Sequence, residues 1–138
     1  MRLPLLCRNP LLIVWVWACT SATVQATPIL RCQLTYGGET QTIEAQLSSD
    51  PYHIPLTDVG GRFKFKAAMI GQDARIDYIK LYAYFQTWHG DVPIQQASYA
   101  PPFPHAAGRL PLGPHTMLYA GELERELQYD CTLENPLP

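Results

Sequence analysis

Leu30-Arg31-Cys32-Gln33-Leu34-Thr35-Tyr36-Gly37-Gly38-Glu39-Thr40-Gln41-Thr42-Ile43-Glu44-Ala45 reads as two strands joined by a tight turn. Adjacent glycines accept the positive φ that a two-residue hairpin turn demands. Facing Tyr36 with Glu39 sets Leu34 opposite Gln41, Cys32 opposite Ile43 and Leu30 opposite Ala45. Directly opposed residues share a face. Leu30, Cys32, Leu34, Ile43 and Ala45 therefore form an apolar side that Leu47 continues. Arg31, Gln33, Thr42 and Glu44 form the wet side, so Cys32 points into a core.

The remainder follows the same pattern. β-branched and aromatic residues come in short runs between Gly, Pro, Asp and Asn, and no long stretch holds a helical period. Phe63, Phe65, Ala67 and Met69 alternate with Arg62, Lys64, Lys66 and Ala68. A turn at Gly71-Gln72 would pair Phe65 with Tyr78, Lys66 with Asp77 and Ala67 with Ile76. Residues 78–85 are apolar on both parities, which predicts an interior strand or one with a face-switching bulge. His53–Thr57 reads as a short edge strand, since Pro55 cannot donate to a ladder, and Pro93–Tyr99 as another strand. Asp58-Val59-Gly60-Gly61-Arg62 is a hairpin-like glycine turn rather than an anion cradle. Residues 100–115, with five prolines, read as a long loop, either functional or a flap over a sheet edge.

Met117, Tyr119, Leu123, Leu127, Tyr129, Cys131 and Leu133 keep one parity, as a strand bent at Gly121 would. Glu122–Gln128 also holds strong helix formers, with strand the preferred reading. Either way Cys131 faces the core, so the first and last strands are expected to be neighbours joined by a disulfide. The fold expectation is all-β: one antiparallel β-sandwich of about seven or eight strands, immunoglobulin-like in architecture, with a small β-barrel as the alternative.

The N-terminus resembles an export signal. Arg2 and Arg8 precede the apolar run Leu11–Cys19, and Val24-Gln25-Ala26 ends a small, uncharged stretch. The cut is placed before Thr27, with Thr20-Ser21-Ala22 as a second site. The division is a signal peptide over 1–26 and one β domain over 27–138. The apolar run is shorter than the ~20 residues of a membrane-spanning helix. Val16-Trp17-Ala18-Cys19 loosely matches a lipidation box, but Trp17 stands where a small residue is usual, so lipidation of Cys19 is the lesser reading. The location implied is the periplasm or the exterior. Removing 1–26 leaves two cysteines, and eight basic against twelve acidic residues. That balance argues against nucleic acid or an anionic membrane as partner. Cysteines this far apart suit a structural disulfide rather than a redox pair.

No residue pattern spells out catalysis. Ser48, Ser49 and Ser98 lie outside any G-x-S-x-G, and Glu122, Glu124 and Glu126 read as a solvated acidic stripe on a strand. His53, His89, His105 and His115 sit at or beside loops. His115-x-Met117 places imidazole and thioether on one strand face, a soft pair suited to copper, with Met69 as a further candidate. Core packing is the ordinary account of Met117. Trp88, in Trp88-His89-Gly90-Asp91, either anchors a partner or caps the core, and Phe103 in the proline-rich loop is a second anchor candidate. The leading expectation is an exported, non-enzymatic binding or accessory protein with no cofactor, acting through a protein partner. The alternative is a periplasmic copper-binding protein using His115 and Met117.

Overall fold

The computed structural model describes residues 26–104 and 108–136. The expected export signal up to residue 25, with Cys19, and the loop residue His105 lie outside them. Nine strands follow in order: β1 (Ile29–Tyr36), β2 (Glu39–Ser48), β3 (Thr57–Val59), β4 (Phe63–Gln72), β5 (Arg75–Thr87), β6 (Gly90–Tyr99), β7 (Arg109–Pro111), β8 (Thr116–Ala120) and β9 (Arg125–Glu134). The protein is all-β, and no helix occurs among the described residues. Seven strands form one hydrogen-bonded path, β6-β5-β4-β2-β1-β9-β7, with β3 beside β4 and β8 beside β9. The path curls into a half-barrel.

The β1–β2 register is the one the glycine pair dictates. Tyr36 faces Glu39, Leu34 faces Gln41, Cys32 faces Ile43 and Leu30 faces Ala45. Gly37 and Gly38 carry φ of 61° and 84°, a conformation open to glycine at little steric cost. On its other side β1 pairs antiparallel with β9, and Cys32 stands directly opposite Cys131. Their sulfurs are bonded, with Cα atoms 4.1 Å apart. Leu30, Leu34, Leu127, Tyr129 and Leu133 bury the bond on the concave side. Phe63, Phe65, Met69, Ile79, Leu81 and Ala83 close over it from β4 and β5. Rings meet across the core, Phe65 against Tyr129 with centroids 5.0 Å apart.

The sheet departs from the antiparallel expectation at one joint. β2 meets β4 in parallel at Leu47–Met69 and Ser48–Ile70. The reason is length: a parallel return needs about a dozen residues, and the 49–62 connection supplies them. Within that connection the strand expected from His53 begins only at Thr57. The glycine turn that follows is a hairpin, with Val59 facing Phe63.

The β4–β5 hairpin turns later than Gly71-Gln72. Gln72 faces Arg75, and Asp73 and Ala74 form the turn with φ of 52° and 62°. Phe65 consequently faces Ala83, Lys66 faces Tyr82 and Ala67 faces Leu81. Gly71 serves another purpose, because a Cβ there would lie 2.0 Å from the Arg75 carbonyl oxygen. Beside it a bulge leaves Asp77 without a partner. That bulge switches the inward parity of β5 from Ile76 to Ile79, Leu81 and Ala83, and β5 has neighbours on both sides.

The C-terminal part is a hairpin with a longer tip than a simple bend. Ala120 faces Arg125 across Gly121–Glu124. Glu122 and Glu124 therefore lie in a turn, and the acidic stripe on one strand does not form. The four-residue tip also reverses the parity of β8. Leu118 and Ala120 pack on the core, while Met117 and Tyr119 face outward. The proline-rich loop covers the β9 edge: β7 pairs with Leu133, and the Leu112 amide donates to the Cys131 carbonyl at 2.8 Å. The half-barrel seam, between β6 and β8, is bridged by side chains. Tyr99 donates to the Leu112 carbonyl at 3.2 Å and Tyr129 to Gln95 at 2.5 Å. Burial, and then neighbouring Tyr129, push the Tyr99 phenol above its usual pKa.

Candidate functional site

Three hairpin tips border one cleft: the β3–β4 turn, the β5–β6 turn and the β8–β9 turn. The β1–β2 turn adjoins them, because Arg125 also walls a smaller depression lined by Tyr36, Gly37 and Gly38. The cleft is floored by aromatic packing. Phe63 contacts both Tyr36 and Phe85, with ring centroids 5.3 and 5.4 Å apart. Two tips approach these rings closely enough to require glycine. A Cβ at Gly60 would lie 2.4 Å from the Tyr36 ring, and one at Gly121 2.7 Å from the Phe85 ring.

Trp88 occupies the apex of the β5–β6 turn, where Thr87 faces Gly90 and leaves Trp88-His89 as the two-residue tip. The Thr87 hydroxyl braces it, donating to the Gly90 carbonyl at 2.8 Å and accepting from the His89 amide at 3.2 Å. The indole is fully exposed, at 102% of its reference area, so it does not cap the core. Leu123, at the apex of the β8–β9 turn, is 76% exposed. Both line the same cleft with Phe85, Gln86, Arg62 and Arg125. Its volume is about 610 Å³, room for several side chains of a partner.

The walls are fixed by polar contacts. Asp58 accepts from the Gly61 amide at 2.9 Å and from Gln86 Nε2 at 2.6 Å. The Gln86 bond first, and the Gly61 amide second, hold the Asp58 carboxyl below its usual pKa. The Gln86 amide donates to the Arg62 carbonyl at 2.8 Å, which ties the β3–β4 turn to the base of the Trp88 hairpin. Arg125 donates from Nη1 to the Tyr36 hydroxyl at 2.8 Å.

The other residues singled out in the sequence are scattered. Phe103 is half-buried and packs on the core cluster rather than standing free. His53 is engaged with Asp50. His115 Nδ1 lies 2.6 Å from Asp130 Oδ2. Met117 is 52% exposed on the outward face of β8, so core packing is not its role, and Met69 is fully buried. Among the described residues no three His, Cys, Asp or Glu side chains converge to hold a metal ion. Ser48 is occupied locally, its hydroxyl bonding the Asp50 backbone at 3.1 Å. Of the cleft residues only Trp88 carries a sequence signal for partner binding. Arg62, Arg125 and Leu123 carry none, because their convergence depends on which tips the curl of the sheet brings together. No protein-family model, no curated protein and no solved structure matches this chain.

Proposed function

We propose that the chain is an exported, non-enzymatic binding protein that engages a protein partner through its hairpin-tip end. The observation that carries this reading is Trp88, a fully exposed indole on a braced two-residue tip at the rim of a cleft. Tryptophan is the residue type most enriched among interface anchors, and it offers large contact area for little lost rotamer freedom. Its setting is preorganised: Thr87 braces the tip, and Gln86 and Asp58 hold the wall beside it. A site that needs little ordering retains more of its contact energy as affinity. The Cys32–Cys131 disulfide is compatible with an exported protein, since such bonds persist in oxidising compartments. No helix among the described residues is long and apolar enough to cross a membrane.

The test is comparative capture from envelope extract with immobilised wild-type protein and Trp88→Ala. A partner retained by the first and lost by the second is expected. Equal capture by both would sink the reading.

A further inference from the structure

We infer that the segment taken by this cleft is acidic, a peptide stretch that sets a carboxylate beside an aromatic or large aliphatic side chain. The inference rests on the docking reading above and adds its chemistry. The argument begins with where the cations go. Arg31 pairs with Glu44 and Glu134, Arg75 with Asp77, Arg109 with Glu134 and Lys64 with Asp91. Lys66 and Lys80 lie over the Tyr82 and Tyr78 rings, at 6.0 and 5.2 Å from the centroids, within cation–π reach. Among the described residues this leaves Arg62 and Arg125 with neither a carboxylate nor a ring. Both wall the same cleft.

That coincidence runs against the composition. The chain has more acidic than basic residues, so an unpaired arginine has many carboxylates available to it. Glu122 is the one acid lining the cleft, and it forms no ion pair with either arginine. Among the lining residues two guanidiniums stand against one carboxylate, and the Asp58 carboxylate behind the wall is taken up by the Gly61 amide and Gln86. The Arg125 side chain is half-buried and held by the Tyr36 hydroxyl, whereas the Arg62 side chain is exposed, on a backbone clamped at Gly61 and at its own carbonyl. A planar guanidinium suits a carboxylate because its fork matches the two oxygens and it sheds water more readily than an ammonium. Trp88 and Leu123 stand exposed on the rim, ready to cover an apolar side chain next to that carboxylate.

The test uses a phage-displayed random peptide library panned against the purified, disulfide-bonded protein, with Trp88→Ala as the counter-selection. Enriched peptides should carry Asp or Glu within two positions of Trp, Phe, Tyr or Leu. Changing those acids to Asn or Gln should weaken binding about tenfold, the scale of one charge-assisted hydrogen bond. Arg62→Gln should weaken it similarly and flatten its salt dependence. Arg125→Lys, which keeps the charge, should lose less than Arg125→Gln. Trp88-dependent peptides with no acidic preference, or indifferent to Arg62→Gln, would overturn the inference and leave the docking reading standing. No Trp88-dependent peptide at all would overturn both. Trp88-dependent self-association in sedimentation, with no peptide enriched, would replace the acidic segment by a second copy of the chain and equally overturn the inference.

Discussion

The β1–β9 ladder and the hairpin-tip end use similar residues to opposite ends. In the ladder, Leu30, Leu34, Leu127 and Leu133 are wholly buried, and Arg31 is neutralised by Glu44 and Glu134 on the outer face. At the tips, Leu123 and Trp88 face water, and Arg62 and Arg125 are left without a carboxylate. Between these two regions, apolar area is covered in the ladder and left exposed at the tips. The difference teaches that folding and the proposed recognition draw on separate side chains: the ladder carries the stability, and the exposed side chains of the tips can change with little effect on it.

The largest expected effect falls on the ladder. Replacing Cys32 and Cys131 together by alanine should destabilise the protein by about 4 kcal/mol, because the bond closes a loop spanning a sequence separation of 99. Urea unfolding measures this, and a loss below about 1 kcal/mol would show that the ladder holds without its bond. The same variant, at temperatures where it remains folded, should keep its Trp88-dependent peptide binding.

Gly121→Ala is expected to come next, at about 2 kcal/mol. It forces a side chain into a left-handed backbone, φ 78°, and drives its Cβ into the Phe85 ring. This change reaches the cleft floor, so peptide affinity should fall along with the melting temperature. Unchanged affinity would mean that the Phe85 ring is not part of the docking surface.

Acid should loosen one wall of the cleft. Asp58 has a lowered pKa in the folded state, so its stabilisation is present above the ordinary carboxylate value and is lost as pH falls through the folded one. Below about pH 4 the Gly61 amide should lose protection in hydrogen exchange, once intrinsic rates are corrected. Asp58→Asn should lack that step, and an identical profile in both proteins would remove Asp58 as the cause.

The smallest effect on stability belongs to Trp88→Ala combined with Leu123→Ser. Both side chains are exposed, so the urea midpoint should move by less than about 0.5 kcal/mol equivalent. A larger loss would erase the contrast between ladder and tips.

The ladder was far more legible than the tips. Gly37-Gly38 admits one tight turn, so the β1–β2 register followed from it, and with it the inward face of Cys32. Strand parity in Tyr129–Leu133 did the same for Cys131. The β4–β5 register was hidden, because Gly71 resembles a turn residue but is needed for its close approach to Arg75. The true turn, Asp73-Ala74, puts an alanine at positive φ, which composition does not announce. Met117 was misplaced by parity because Gly121–Glu124 adds a four-residue tip before β9. Trp88 was visible as a loop aromatic, but its exposure was not. Arg62 and Arg125 left no trace, since lacking a partner is a property of surroundings rather than of neighbours in the chain.

The placement of the disulfide has a mechanical consequence. Ile29 faces Glu134, and this pair and two more precede the Cys32–Cys131 bond. Tension applied at residues 29 and 134 would unzip those pairs and then meet a covalent stop. The load would pass from one backbone to the other through sulfur, and apart from the flanking β2 and β7 the other strands would lie outside its path. Tethered by both ends, the molecule would keep its hairpin-tip end slack while its termini were under strain.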